Sequence, residues 1–158
     1  MINVTVKAAD INDLKGINQI ITACVYSWDL PDRVKRLTLQ SYLYDETDFD
    51  HLDIFVATDS NNKILGLAAL ESAQTMDLPG NQTGLLLHGI YVDPHYQNQH
   101  IGEKLLSLSF QHVKDNHLKG LLVKAQASAN SYFGHQGFEH LPVINPDKDY
   151  PHRWWKLV

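Results

Sequence analysis

The sequence has little of what would fix a compartment or a covalent frame. It holds one cysteine in 158 residues, so no disulfide can form within the chain. Cys24 is expected to be a small packed side chain, and a reducing, cytoplasmic location is the default. Long apolar runs are missing too. The longest, Ile64 to Leu70 and Leu85 to Val92, fall well short of the roughly 20 residues a membrane helix needs. Lys7, Asp10, Asp13 and Lys15 interrupt the opening segment, so no apolar core of a secretory leader is expected there. A basic excess is also absent: 13 Lys and Arg stand against 18 Asp and Glu, a net charge of −5. Surfaces built for phosphates usually carry the opposite balance, so neither nucleic acid nor membrane is an expected partner. A neutral or cationic small partner is easier to accommodate.

What is present suits one compact domain over residues 1–158, with 44% hydrophobic content and no repeat or low-complexity tract. Val4 to Ala8 reads as a short strand. Leu14, Ile17, Ile21 and Cys24 then recur at helical steps, with Asp10 and Asn12 as candidate caps. Val34 to Leu43 gives a weaker helical pattern. Leu52 to Thr58 and Lys63 to Glu71 read as a hairpin around the polar turn Asp59-Ser-Asn-Asn62. Thr75 to Thr83 is loop-like, and Gly84 to Val92 is apolar enough to predict a central strand buried on both faces. Ile101 to His117 is the clearest helix, closed by Gly120. A strand at Leu121 to Ala125, a short helix from Asn130, and two last strands opening at Gly137-Phe138 and ending at Val158 complete the chain. The order predicts a mixed α/β fold.

The stretch from Tyr91 to Leu106, YVDPHYQNQHIGEKLL, carries the chemistry. A buried strand breaks at Asp93-Pro94, passes through a polar loop and enters a helix. Such a helix start presents unpaired backbone N–H groups and the positive end of the helix dipole, an arrangement that binds a pyrophosphate without a basic side chain. Gly102 would let the backbone approach the phosphates closely. From the residues alone, the turn is either an anion site of unassigned ligand or a plain strand-to-helix connection.

This segment resembles the acetyl-CoA loop of the GNAT (Gcn5-related N-acetyltransferase) family, in which Arg or Gln is followed by two residues, Gly, one residue, then Gly or Ala. Gln97 and Gly102 fit, while His100 stands where the first Gly is usual. A second segment, Ala129-Asn-Ser-Tyr-Phe-Gly-His-Gln-Gly-Phe138, is similar to the family's later signature of Asn, an aromatic pair and Gly-Phe. The resemblance covers essentially the full chain. It implies a central, mostly antiparallel mixed sheet of six or seven strands with a splayed parallel pair, flanked by about four helices. It also implies acetyl-CoA as cosubstrate, with the pantetheine arm along Ile90, Tyr91 and Val92. The pyrophosphate would lie on the backbone of Gln97, Asn98, Gln99, His100, Ile101, Gly102 and Glu103, with Asn130 near the thioester end. Gly89 is either a bulge that helps the splay or a point of tight packing.

Acetyl transfer to an amine needs a neutral nucleophile, a stabilised oxyanion and a proton for the departing thiolate. The resemblance points to Tyr132 as the acid, although the order Tyr132-Phe133 reverses the usual pair and turns the phenol roughly 100° around a helix. His88 and Glu71 are the candidate bases. His88 reads either as a base or as a hydrogen-bonded core histidine, and Glu71 either as a base or as a solvated strand end. The histidine pairs His95 and His100, His112 and His117, and His135 and His140 all sit five apart, a step that leaves a shared helical face, so no metal is expected. The expected function is an acetyl-CoA-dependent N-acetyltransferase acting on a primary amine of a small molecule or peptide. The alternative is a GNAT-like CoA-binding sensor with little transferase activity. Tyr26, Trp28 and Tyr42 are either acceptor-pocket walls or core packing. Trp154 and Trp155 should face opposite ways on one strand, so one needs a second apolar environment and a homodimer stays open.

Overall fold

The computed structural model describes residues 2–158. Seven strands form one sheet in the order β1-β2-β3-β4-β5-β7-β6. They are β1 (Thr5–Ala8), β2 (Asp53–Thr58), β3 (Ile64–Ser72), β4 (Gly84–Val92), β5 (Gly120–Lys124), β6 (Glu139–His140) and β7 (Arg153–Leu157). The four α-helices are α1 (Leu14–Ser27), α2 (Asp32–Tyr42), α3 (Ile101–Asp115) and α4 (Asn130–His135). β4 and β5 are the parallel pair, in register from Gly84↔Gly120 to Leu87↔Val123. β1 with β2, β5 with β7 and β6 with β7 run antiparallel. The mixed sheet, its parallel pair and the four helices agree with the sequence reading.

Contacts divide the chain into two compact units, residues 1–69 with 89–108 and residues 70–88 with 109–158. The first unit is organised around α1, whose inward face carries Ile17, Ile20, Ile21, Cys24 and Val25 at helical spacing. They pack with Leu52, just ahead of β2, and with Ile54, Val56, Leu67 and Ala69 from the sheet into one buried cluster. Asp10 starts the helical region through a 3₁₀ turn, accepting from Asn12 N while Asp13 reaches back to Asp10 N in a reciprocal cap. The β2–β3 hairpin closes as the polar turn predicts. Asp59 Oδ1 accepts from Asn61 N and Lys63 N, both at 2.9 Å, and Asn62 takes the left-handed conformation at φ 62°. α2 buries no residue, which explains its weak periodicity.

In the second unit Leu122, Leu141 and Trp155 form the centre, with Ala73, Leu78 and Leu86 packed on them. The Trp155 indole lies against two glycines. A Cβ on Gly120 would stand 2.5 Å from its Cζ2, and one on Gly84 would stand 2.8 Å from its Cζ3. Trp154 points the other way, its ring tilted on His140 at a centroid distance of 4.9 Å, so the alternation expected for the pair holds. Arg153 is buried and ties loops together. It donates to the carbonyls of Asp77 and Pro142 at 3.1 Å each, with Asp149 at 3.7 Å, while its Nε has no partner among the described residues.

Two expectations need correction. Gly120 does not close α3; it opens β5. The helix ends at Asp115, and His117 takes the left-handed position at φ 58°. Leu118 N bonds Val113 O and His117 N bonds Lys114 O, the paired bonds of a Schellman cap that a non-glycine residue here supplies. β4 is also not buried throughout. Gly84, Leu85 and Leu87 are buried, His88 is exposed, and Gly89 to Val92 are half-buried. Up to His88 the pattern is ordinary alternation, Leu85 and Leu87 buried and Leu86 and His88 less so, but over the whole strand the register shifts. The bonds Asp93 N to Leu65 O and Ala73 N to Gly84 O flank the β3–β4 pair, and they lie eight steps apart on β3 but nine on β4. One residue of β4 is therefore extra, a bulge that breaks the inward–outward alternation.

Candidate active site

The motif stretch folds as a strand, a turn and a helix start, all within the first unit. Asp93, 8% exposed, stops β4. Its carboxylate accepts from His95 N at 2.9 Å and lies 3.2 Å from His95 Nδ1, and its carbonyl accepts from Tyr96 N. That fixes a 3₁₀ turn over Pro94–Tyr96. Gln97, Asn98, Gln99 and His100 then curl into α3, with Asn98 and His100 both left-handed at φ 62° and 64°. His100 thus adopts the conformation for which the related pattern uses glycine. Histidine is among the side chains enriched at positive φ, and its ring is held by Glu103, Nδ1 to Oε2 at 3.0 Å.

His100 O accepts from Lys104 N at 3.1 Å, making His100 the cap of α3. Among the described residues, no hydrogen bond occupies the N–H groups of Gln97, Asn98, Gln99, His100, Ile101, Gly102 or Glu103. Ile101 is buried and anchors the helix start, while Gly102 is only partly covered. Gly66 on β3 allows this packing. A Cβ there would meet Tyr91 O at 2.8 Å and the side chains of Ile101 and Leu105 at 3.3 Å each. The Lys104 ammonium is turned to Val4 O at 3.3 Å. The loop therefore offers backbone donors and the helix dipole, with no lysine or arginine of its own and the His100 ring paired to Glu103.

At the end of β4, Asp93 N is directed at β3, so by strand alternation the polar groups of Ile90 and Val92 are directed away from it. The Cys24 thiol donates to Val92 O at 3.1 Å. Burial pushes this thiol up to about 11, with the bond to Val92 opposing and Asp93 adding to the rise. Tyr91 is packed on the first unit's core. Burial drives its phenol well above the usual range, helped by Tyr42 and Cys24.

In the second unit α4 begins at Asn130, whose amide is engaged on both sides. Trp154 Nε1 donates to Oδ1 at 3.0 Å, and Nδ2 lies 3.0 Å from His152 Nδ1. The indole can only donate, so it fixes the amide orientation. His152 Nδ1 must then be the acceptor, which sets the neutral tautomer with the proton on Nε2. Sequence reading missed His152 and Trp154, because their role depends on contacts more than 20 residues away. Tyr132 is 38% exposed and stands edge-on to Phe133, centroids 5.3 Å apart. Phe133 is buried against Phe138. Of the aromatic pair, the second ring anchors the helix and the first is left accessible. His88 is exposed, which removes the reading of a buried core histidine, and Glu71 is half-buried near the end of β3. Among the described residues, no three His, Cys, Asp or Glu side chains gather as a metal site, and no helix is long and apolar enough to cross a membrane.

The family model for the acetyltransferase (GNAT) domain matches residues 35–146, so the chain belongs to the GNAT acetyltransferase family. Solved structures agree on the fold. The PaiA N-acetyltransferase of Thermoplasma acidophilum in complex with coenzyme A superposes with a TM-score of 0.74 at 13% identity, covering 99% of each chain. The Escherichia coli GNAT protein YhbS in complex with CoA gives 0.69 at 13% identity, over 99% of this chain and 82% of that one. The E. coli ribosomal-protein-S18-alanine N-acetyltransferase gives 0.62 at 18%, over 99% and 94%. No curated protein sequence matches the chain.

Proposed function

We propose that this protein transfers an acetyl group from acetyl-CoA to a primary amine of a small molecule or peptide, by direct attack within a ternary complex. One observation carries the reading: the run of unoccupied N–H groups from Gln97 to Glu103 at the start of α3, with His100 holding the left-handed turn. In this reading that backbone receives the pyrophosphate, and the polar groups of Ile90 and Val92, on either side of Tyr91 and directed away from β3, receive the pantetheine amides. Asn130, held rigid by Trp154 and His152, serves the thioester end.

Bound acetyl-CoA supplies the activated acetyl thioester. His88 or Glu71 takes the proton that the amine nitrogen loses as it bonds to the carbonyl carbon; His88 lies exposed on β4. Tyr132 gives its phenol proton to the sulfur as the carbon–sulfur bond breaks, so one proton enters the protein and one leaves.

Calorimetric titration with acetyl-CoA and CoA, on the parent and on Gly102→Trp, is the test. Saturable binding that weakens by about tenfold or more in the variant supports the cofactor site. Release of free thiol that requires an added amine, and that falls in Tyr132→Phe and in His88→Ala or Glu71→Gln, supports the transfer. No binding at millimolar cofactor overturns the reading.

A further inference from the structure

The hydrogen bonds that hold Asn130 run in one direction. The Trp154 indole can only donate, and it donates to Oδ1 at 3.0 Å. The amide nitrogen therefore faces His152 Nδ1, at 3.0 Å, and needs an acceptor there. Among the described residues the second N–H of that amide has no partner. Asn130 is only half-buried, so this N–H is what the side chain offers to a ligand, and it suits a carbonyl oxygen.

The residue that supplies the acceptor is itself pinned. His152 stands just ahead of β7, and its carbonyl accepts from Ala125 N, just past β5, at 2.9 Å. Its ring meets the Tyr150 ring edge-on, centroids 5.9 Å apart, and the Tyr150 hydroxyl donates to Ala125 O at 2.6 Å. A neutral ring with its proton on Nε2 completes the chain. A second proton, on Nδ1, turns the acceptor into a donor and sets two donors face to face. Neither group can adjust. Turning the amide would present its NH2 to the indole, and turning a doubly protonated ring brings a C–H to the place where an acceptor is needed. Protonation of His152 therefore breaks the hold on Asn130.

Among the described residues no carboxylate pairs with this ring. α4 carries none. Glu139 of β6 pairs with Trp155, and Lys124 of β5 pairs with Arg153, on the face away from Trp154. In the loop before His152, Asp149 accepts from Ile144 N and Asn145 N and faces Arg153, while Asp147 and Lys148 stand exposed. The other titratable neighbours are Tyr150, Tyr132 and His135 of α4, Lys156, whose ammonium donates to Gln136 O, and His140. His140 makes a useful contrast. Its ring lies on Trp154, but its Nε2 is 2.8 Å from Pro151 O, so it donates there whether or not the ring is charged.

We infer that His152 is a positioning residue for acetyl-CoA: in its neutral form, and only in that form, it keeps the free Asn130 N–H aimed at a carbonyl of the acyl-pantetheine end. This rests on the acetyltransferase reading, which brings that end of the cofactor to Asn130. It adds control by a proton. Acidification weakens cofactor binding through His152 while the backbone donors of the pyrophosphate loop stay in place.

The test compares the parent with His152→Asn, His152→Leu and His140→Phe by calorimetric titration with acetyl-CoA at about pH 8 and about pH 5.5, which bracket the range where imidazoles ordinarily titrate. Asparagine places an acceptor oxygen where Nδ1 stood and does not titrate. On acidification the parent should lose affinity by about fivefold or more, as one hydrogen bond left unmade implies. His152→Asn should bind like the parent at the higher pH and keep most of that affinity at the lower one. His152→Leu should bind weakly at both with its melting temperature held, and His140→Phe should follow the parent. Comparing the parent with His152→Asn sets aside the other titrating histidines, His100 of the loop among them. By reciprocity, saturating acetyl-CoA should hold the His152 ring neutral to lower pH than in the free protein, read by nitrogen-resolved NMR. Equal losses in the parent and His152→Asn, or a His152→Leu that binds like the parent at the higher pH, overturn the inference and leave the acetyltransferase reading standing. A parent that binds no acetyl-CoA at either pH sinks that reading and the inference with it.

Discussion

His100 is the residue to perturb first, because its φ of 64° makes opposite demands on different replacements. An L-residue in the left-handed region costs about 1–2 kcal/mol relative to the right-handed one. Glycine removes that cost but loses roughly 0.5–1 kcal/mol of extra chain entropy on folding. His100→Gly should therefore stabilise by about 0.5–1 kcal/mol, raising the melting temperature by roughly 1–4 °C for a chain of this size. The pairing with Glu103 joins two side chains more than half exposed, so its removal counts for little either way. His100→Ala keeps the backbone cost and should be near neutral. His100→Val puts a β-branched side chain where positive φ is a true outlier, and should fall below Ala by about 1 kcal/mol. Thermal and urea unfolding of the three variants, followed by circular dichroism, reads the order Gly above Ala above Val. A destabilised Gly variant, or Val equal to Ala, would refute the left-handed cap at His100.

Further outcomes follow from other parts of the structure. Gly66→Ala pushes a methyl to 2.8 Å from a backbone carbonyl that cannot rotate away, so it should cost about 1–3 kcal/mol in urea unfolding. Stability should fall as pH rises between about 9 and 11. The unfolded Cys24 thiol ionises from 9.0, while the folded one stays protonated to about 11, so its contribution is whole below the first value and lost through the second; in Cys24→Ala this slope should flatten. Arg153→Met leaves the carbonyls of Asp77 and Pro142 without their donor and should destabilise by about 2–4 kcal/mol, read by denaturant unfolding; no loss would mean those carbonyls find water instead. Nitrogen-resolved NMR should show His152 with its proton on Nε2, and Trp154→Phe, which frees the Asn130 amide to turn, should release that preference.

The strand, loop and helix that carry the motif were legible because each obeys a local rule. An apolar run ends at Asp93-Pro94, and a 3.6-residue period begins at Ile101. The hairpin turn at Asp59 to Asn62 was legible for the same reason. The end of α3 was not: the sequence signal was Gly120, whereas the left-handed residue is His117, a choice that composition does not advertise. The exposure of His88 was hidden because the apolar run reads as buried on both faces, whereas in the sheet Leu85 and Leu87 are buried and Leu86 and His88 are less so. The two-sided hold on Asn130 was equally out of reach, since Trp154 and His152 meet it only after the chain has folded. The resemblance supplied the glycine expected at position 100, and the backbone there shows why histidine can stand in.

The Trp155 slot constrains how this sequence can drift. With Gly84 and Gly120 both within 3 Å of the indole once given a Cβ, the three positions behave as one unit of inheritance. A methyl acquired at either glycine is tolerable only after the indole has given way to a smaller ring or an aliphatic side chain. Among descendants of this chain, an alanine at 84 or 120 should therefore appear together with the loss of tryptophan at 155, and a lineage that keeps the tryptophan should keep both glycines.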